Sequence, residues 1–187
     1  MSKRALVLID IQNDYFEGGK WPLHGMDAAA SNAARVLAAA RKAGDKVVHV
    51  RHEFQSDDAP FFTPASEGAR IHASVQPQAD EAVVLKHQVN AFLGTDLKAL
   101  LDAAGIEQVT LVGAMSHMCI DAAARASSDF GYATCVVHDA CATRDQVFEG
   151  QSIAAAQVHA AYMASLAFAY ASLVSTEQYL AGTPDSH

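Results

Sequence analysis

Cysteine is scarce in this sequence, with three residues among 187. An odd and sparse set does not make a disulfide framework, so we expect a protein of the reducing cytosol, that is, a cytoplasmic one. Basic residues are also few, because 13 lysines and arginines stand against 21 aspartates and glutamates, which gives a formal net charge of −8. This surplus of acid disfavours nucleic acid or an anionic membrane surface as the main partner.

Long apolar runs are missing as well. No stretch reaches the roughly 18 residues that a membrane helix needs. The first apolar run, residues 5–9, is short and stops at Asp10, which is typical of a first strand and not of a signal peptide. Hydrophobic residues nevertheless make up 51% of the chain and charged residues 18%, so a sizeable core can form. We expect one domain over residues 1–187.

Short aliphatic runs alternate with Ala-rich segments along the chain. The runs predict six strands, at residues 5–9, 46–50, 82–85, 108–112, 132–138 and 172–175. The Ala-rich segments predict helices at residues 27–43, 96–104, 118–130 and 150–170. A long loop is expected over residues 51–80. This alternation indicates an α/β protein whose parallel sheet has helices on both faces.

Three reactive side chains follow predicted strands, at the edge where open α/β sheets bind ligands. Asp10 ends the first strand, Lys86 ends the third, and Cys119 comes shortly after the fourth. Each alone has a structural explanation: a turn aspartate, a lysine that reaches water, a small core cysteine. Together they form a complete set for nucleophilic catalysis.

The chemistry of such a set is that of an activated thiol. Asp10 is the base that a thiol needs to become a nucleophile. Lys86 and a helix N-terminus are both expected to lower the pKa of Cys119. The turn from strand to helix over residues 113–119 directs backbone N–H groups toward the same place, where they could hold an oxyanion.

Three ordered motifs carry a family resemblance. They are Leu8-Ile-Asp-Ile-Gln-Asn-Asp-Tyr15, then Lys86, then Gly113-Ala-Met-Ser-His-Met-Cys-Ile-Asp121. With them, nearly the whole chain resembles the isochorismatase-like cysteine hydrolase superfamily, which includes nicotinamidases, N-carbamoylsarcosine amidase and streptothricin hydrolase. The resemblance implies a three-layer α/β/α fold with a six-stranded, mostly parallel sheet in the Rossmann-like order 3-2-1-4-5-6. The crevice between strands 1 and 4 would then lie beside Asp10 and Cys119.

The resemblance also implies roles for single residues. Asp10, Lys86 and Cys119 match the family's catalytic triad. The family's cis peptide bond falls between Ala114 and Met115. The N–H groups of Met115 and Cys119 would form the oxyanion hole.

Four further residues are expected to line the substrate pocket. Tyr15 matches the family's aromatic pocket residue, and Asn90, Phe92 and His117 are candidates, although Phe92 could equally be core. Of the other two cysteines, we expect Cys135 in a strand and Cys141 in a loop, both structural, with the alternative that Cys141 lies near the site.

The nicotinamidase metal motif is incomplete. Nicotinamidases place an Asp-x-His pair after the second strand, whereas this chain has Arg51-His52-Glu53 there. His52, His72 and His87 remain conceivable ligands, but histidines scattered through a chain are more often hydrogen-bonding or surface residues. We therefore expect no metal and no other cofactor.

The expected function is that of a small-molecule amidohydrolase. The cysteine favours acyl chemistry, with cleavage of a C–N bond of a small amide or ureide through a thioester. Two alternatives stay open: a metal-assisted nicotinamidase or ester hydrolase of the same fold, or a redox-responsive family member without activity. A homo-oligomer is also expected, because the last long helix carries more apolar surface than one exposed helix should.

Overall fold

Alternating strands and helices build the molecule as the sequence predicts. A computed structural model describes residues 3–182. In chain order the elements are β1 (Arg4–Ile9), α1 (Met26–Ala43), β2 (Lys46–His52), β3 (Ala82–Lys86), α2 (Leu97–Ala103), β4 (Gln108–Ala114), α3 (Asp121–Asp129), β5 (Ala133–Ala142), β6 (Gln146–Phe148), β7 (Gln151–Ile153), α4 (Ala155–Ala169), β8 (Ser172–Val174) and α5 (Thr176–Leu180). Short 3-10 turns add Asn13–Tyr15 and Ala73–Val75, and a π-helical turn spans Ser116–Ile120.

The main sheet has six strands in the order β3-β2-β1-β4-β5-β8. Every neighbouring pair in it is parallel. This confirms the predicted order, with β8 as the sixth strand of the sheet. The order reverses between β1 and β4, so the crevice there opens at the carboxyl ends of these two strands.

Strand β1 is buried on both faces, which explains its unbroken aliphatic sequence. Leu6 and Leu8 pack into the apolar layer beneath α1. Val7 and Ile9 point the other way, into the layer formed with α2, α3 and α4. Burial of each such side chain contributes about 1.5 to 3 kcal/mol to the stability of the fold, so the strand that ends at the site is held firmly in the core.

The predicted helix over residues 150–170 begins later than expected. Residues 146–153 instead form a two-stranded antiparallel hairpin of β6 and β7. Its turn holds Glu149 and Gly150 at φ 49° and 78°, the left-handed pair that suits a two-residue hairpin. Helix α4 then starts at Ala155, whose N–H donates to Asp145 Oδ1 at 2.8 Å.

Strand β5 is longer than predicted and extends to Ala142. Cys141 therefore lies in a strand and not in a loop, while Cys135 lies in the strand as expected. The pairing with β4 shifts register, because Leu111 is opposite Val136 but Gly113 is opposite Cys141. After this shift, the end of β5 at Cys141 and Ala142 pairs with the end of β4, at the carboxyl edge of the sheet where the reactive residues lie. Helix α5 was not predicted at all.

Helix α4 buries Val158, Met163 and Leu166 against the rest of the protein. Its Phe168 is 92% exposed. The expected homo-oligomer stays a prediction. None of the helices within residues 3–182 combines the length and the apolar character that crossing a membrane requires.

Candidate active site

Three strand ends bring the reactive residues to one place. Asp10 follows β1, Lys86 is the last residue of β3, and Cys119 lies in the π-helical turn after β4. The register pairs Ile9 with Gly113, so the end of β1 lies beside the start of that turn. Strand β2 lies between β1 and β3 in the sheet, and it ends at His52, opposite Lys86.

The ammonium group of Lys86 contacts both of the other candidates. Its Nζ lies 2.8 Å from Asp10 Oδ2 and 3.3 Å from Cys119 Sγ. The Asp10 carboxylate also acts on the Cys119 thiol, because its charge is one of the causes that raise the pKa of that thiol. The side chains of Asp10 and Lys86 are fully buried, and Cys119 is 6% exposed. The structure thus brings together the three residues on which the sequence argument depends.

Burial dominates the electrostatics of these groups. It raises the pKa of Asp10 above the usual range, although the Lys86 charge works against the shift. Burial alone would lower the pKa of Lys86, but the negative charges of Asp10 and Cys119 outweigh it and raise this pKa. Asp10 is therefore a stronger base than an exposed aspartate, beside an ammonium that keeps its proton.

The expected low pKa of the thiol is wrong. Burial, and after it the charge of Asp10, raise the pKa of Cys119, the Lys86 charge only partly opposes them, and the net pKa is about 12. The sequence argument counted the cation and missed the burial. At rest Cys119 is therefore a thiol. The carboxylate of Asp10, whose pKa is raised, can accept its proton.

The backbone around the site is unusual at two positions. Asp10 has φ 54°, a left-handed conformation that non-glycine residues rarely adopt. Gly113 has φ 130°, and a Cβ there would lie 1.9 Å from the carbonyl oxygen of Ile9. Only glycine lets β4 approach the end of β1 so closely.

The turn that carries Cys119 differs from the predicted helix. The peptide bond between Ala114 and Met115 is cis. Residues Ser116–Ile120 then form the π-helical turn, and the regular helix α3 begins only at Asp121. Ser116 fastens the turn, because its Oγ lies 2.8 Å from His159 Nδ1 and 3.3 Å from the carbonyl oxygen of Ala142.

An aromatic wall stands beside the three reactive residues. Tyr15 is 2% exposed, and the charges of Asp10 and Cys119 both contribute to its raised pKa, after burial. Its ring lies 4.6 Å from that of Phe62 and 5.7 Å from that of Phe61. Trp21 and Phe54 extend this wall, each packed on Phe61. Sequence reasoning found only Tyr15, although a run of aromatics in a long loop was a usable signal.

The other three pocket candidates pair with residues outside the group of Asp10, Lys86 and Cys119. The Asn90 side chain accepts a hydrogen bond from the Phe92 N–H at 3.0 Å, which stabilises a turn. Phe92 packs in the apolar core with its ring 5.3 Å from that of Phe130. His117 lies two residues before Cys119, with Nδ1 2.6 Å from Thr143 Oγ1. Burial, and then the nearby charge of Arg144, lower the pKa of His117.

The histidines considered as metal ligands have other contacts. His52 Nδ1 lies 2.9 Å from Lys86 Nζ, His72 Nδ1 lies 2.9 Å from Ser74 Oγ, and His87 Nδ1 lies 2.6 Å from the Glu53 carbonyl oxygen. In the part of the chain from 3 to 182, no three His, Cys, Asp or Glu side chains are grouped as a metal site would require. The residues after β2 thus do not fit a nicotinamidase-type metal centre.

Comparison with known proteins agrees with this arrangement. Residues 4–168 match the model of the isochorismatase domain. The chain belongs to the isochorismatase family. It is 45% identical to the isochorismatase family protein YddQ of Bacillus subtilis (strain 168), over 94% of this chain and 98% of that protein.

Two more family members extend the comparison. The crystal structure of an isochorismatase hydrolase from Oleispira antarctica superposes with a TM-score of 0.93 at 56% identity, covering 96% of each chain. The maleamate amidohydrolase of Pseudomonas putida (strain KT2440) is 35% identical, over 76% of this chain and 73% of that enzyme. The family therefore includes an amide-cleaving hydrolase at this level of similarity.

Proposed function

We propose that this protein is a cysteine hydrolase that cleaves the C–N bond of a small amide or ureide through a thioester. One observation carries the proposal: the Lys86 ammonium contacts both the carboxylate of Asp10 and the sulfur of Cys119, at 2.8 and 3.3 Å. A base, a nucleophile and a cation that stabilises their shared negative charge are what acyl transfer by a thiol requires.

The first step transfers a proton and forms the C–S bond. Asp10 takes the thiol proton of Cys119 as the sulfur attacks the substrate carbonyl carbon. The carbonyl π electrons move onto oxygen, and the N–H groups of Met115 and Cys119 donate to that oxyanion. Lys86 keeps its proton throughout and offsets the negative charge as it moves from carboxylate to sulfur.

The next steps release the two products. The oxyanion re-forms the carbonyl, the C–N bond breaks, and Asp10 gives its proton to the leaving nitrogen. Asp10 then takes a proton from water, whose oxygen attacks the thioester carbon. The C–S bond breaks, the acid leaves, and the proton returns to the sulfur, so the enzyme ends as it began.

The similarity to a maleamate amidohydrolase supports an amide as the bond cleaved. Amides are also the substrates that need an acid for their leaving group, which the protonated Asp10 supplies.

The test is ammonia release from a panel of small carboxamides and ureides. Wild type and Cys141→Ala are expected to turn over the same substrates, whereas Cys119→Ala loses about 10³-fold or more. Cys141 is a matched control because it is 7% exposed, as deeply buried as Cys119. Intact mass spectrometry should find the acyl group on Cys119. Equal turnover by wild type and Cys119→Ala would refute the proposal.

A further inference from the structure

His52 contacts Lys86 within the site, although the sequence indicated it only as a conceivable metal ligand. It ends β2 directly opposite Lys86 and is 7% exposed. The Gln12 side chain makes two hydrogen bonds with the His52 backbone. The His52 N–H donates to Gln12 Oε1 at 2.8 Å, and Gln12 Nε2 donates to the His52 carbonyl oxygen at 2.9 Å. Since Gln12 lies two residues beyond Asp10, these two hydrogen bonds connect His52 to the segment that carries Asp10.

Lys86 has more acceptors than protons. Its Nζ lies 2.8 Å from Asp10 Oδ2, 2.9 Å from His52 Nδ1, 3.1 Å from the Gln88 carbonyl oxygen and 3.3 Å from Cys119 Sγ. Two of these contacts belong to the reacting pair. The other two, to His52 and Gln88, are neutral acceptors that take no part in the proposed chemistry and hold the ammonium in place.

The ring of His52 can only be an acceptor at Nδ1. An ammonium group has no lone pair, so Nδ1 must offer its own, and the ring hydrogen is on Nε2. His52 Nε2 is buried and has no partner among residues 3–182. A buried donor without a partner is unfavourable and rare, and it calls for a compensating role of the residue.

The ring is also neutral near pH 7. Burial, followed by the charges of Lys86 and His87, lowers the pKa of His52 to about 3. A protonated ring would repel the ammonium and lose the Nδ1 lone pair. A neutral imidazole instead binds Lys86 without competing for the charge that Asp10 and Cys119 share.

We propose that His52 is a positioning residue, which fixes the Lys86 ammonium between Asp10 and Cys119 by accepting its hydrogen bond at Nδ1. This inference rests on the proposed function, because it gives Lys86 the task of stabilising the thiolate. A purely packing role predicts something different. The edge-on contact of the ring with Phe54, at 4.7 Å between centroids, would then be all that matters, and an apolar side chain could replace it.

The test compares His52→Leu with His52→Asn, because asparagine keeps an acceptor near the Nδ1 position and leucine does not. The readout is the rate at which iodoacetamide labels Cys119 between pH 6 and 10, resolved by peptide mass spectrometry. Among the other titratable groups, Asp10 faces both Lys86 and Cys119, Tyr15 faces Cys119, and His87 acts on His52; all are unchanged in both variants.

We expect His52→Leu to label Cys119 about tenfold more slowly than wild type throughout this pH range, and His52→Asn to stay close to wild type. His72→Leu should also match wild type, because this half-buried histidine stacks on Phe16 and its Nδ1 pairs with Ser74 Oγ. His52→Met repeats the test with a flexible side chain of similar size if the leucine variant unfolds. A leucine or methionine variant that labels as fast as wild type, or an asparagine variant as slow as leucine, would overturn the inference.

Lys86→Met in the same assay separates the two proposals. If it leaves the labelling of Cys119 unchanged, the ammonium does not stabilise the thiolate, and the proposed function fails with the inference. If Lys86→Met slows the labelling and His52→Leu does not, only the role of His52 fails.

Discussion

Two buried ion clusters adjoin β2, and they use similar groups to opposite effect. In one, Arg41 binds both carboxylate oxygens of Glu81 at 2.7 and 2.8 Å, and His49 Nε2 lies 2.9 Å from the same carboxylate. The hydrogen bonds from Arg41 are the largest cause of a Glu81 pKa lowered to about 2. In the other, Asp10 pairs with Lys86 at 2.8 Å, yet burial raises the pKa of Asp10.

The difference lies in how deeply each carboxylate is buried and in how many donors it receives. Glu81 accepts from the fork of Arg41 and from the Gln78 N–H at 2.8 Å, so its charge is fully satisfied. Asp10 receives one ammonium, which it shares with Cys119. A satisfied carboxylate stabilises the fold, whereas a buried and under-satisfied one is ready to take a proton.

The largest expected effect separates the clusters by activity. Asp10→Asn should lower kcat by about 10²- to 10⁴-fold, because no group then carries the proton from sulfur to the leaving nitrogen. Glu81→Gln should leave kcat unchanged. Steady-state kinetics on the best carboxamide of the panel measures both, and similar losses in the two variants would erase the distinction.

The next effect separates them by stability. Glu81→Gln should lower the free energy of unfolding by about 2 kcal/mol at pH 7, because the Arg41 guanidinium loses its charged partner. The Glu81 side chain is 7% exposed and that of Arg41 is 27% exposed, so solvent screens this pair only in part. Urea unfolding of wild type and variant measures the difference, and equal midpoints would show that the cluster does not support the fold.

The pH dependence of that loss sharpens the comparison. The pKa of Glu81 is about 2 in the folded protein against an ordinary value of 4.5, so its contribution is complete above 4.5 and is lost as pH falls toward 2. The stability gap between wild type and Glu81→Gln should therefore narrow over that range. Denaturation midpoints at pH 3 and pH 6 provide the check; a gap of constant size would mean that the pKa of Glu81 is not lowered by folding.

Local patterns in the sequence predicted the strands and the three reactive residues, and the family resemblance implied the order of the strands in the sheet. Aliphatic runs gave the strands, and the polar residues that stop them fell at one edge. The aromatics of the 51–80 loop were visible in the sequence, but where they pack depends on contacts across the chain. The Phe62 N–H donates to Asp14 Oδ2 at 2.7 Å, a contact between residues 48 positions apart that fixes the loop.

Two errors have the same physical origin. The pKa of Cys119 was expected to be low because its neighbours could be guessed but its burial could not. The contact of His52 with Lys86 was missed because it depends on the register between β2 and β3. Burial and register both arise from packing, which a single sequence reveals only in outline.

The most direct test of the central claim compares two cysteines in one tube. Burial raises the pKa of both Cys119 and Cys141 to about 12, but only Cys119 lies beside Lys86 and Asp10. Site-resolved iodoacetamide labelling at pH 8 should modify Cys119 at least about tenfold faster than Cys141, because Asp10 takes the thiol proton as the sulfur attacks and Lys86 stabilises the charge that moves; Lys86→Met should remove that advantage. Equal labelling of the two cysteines in the wild type, or an advantage that survives Lys86→Met, would contradict the account.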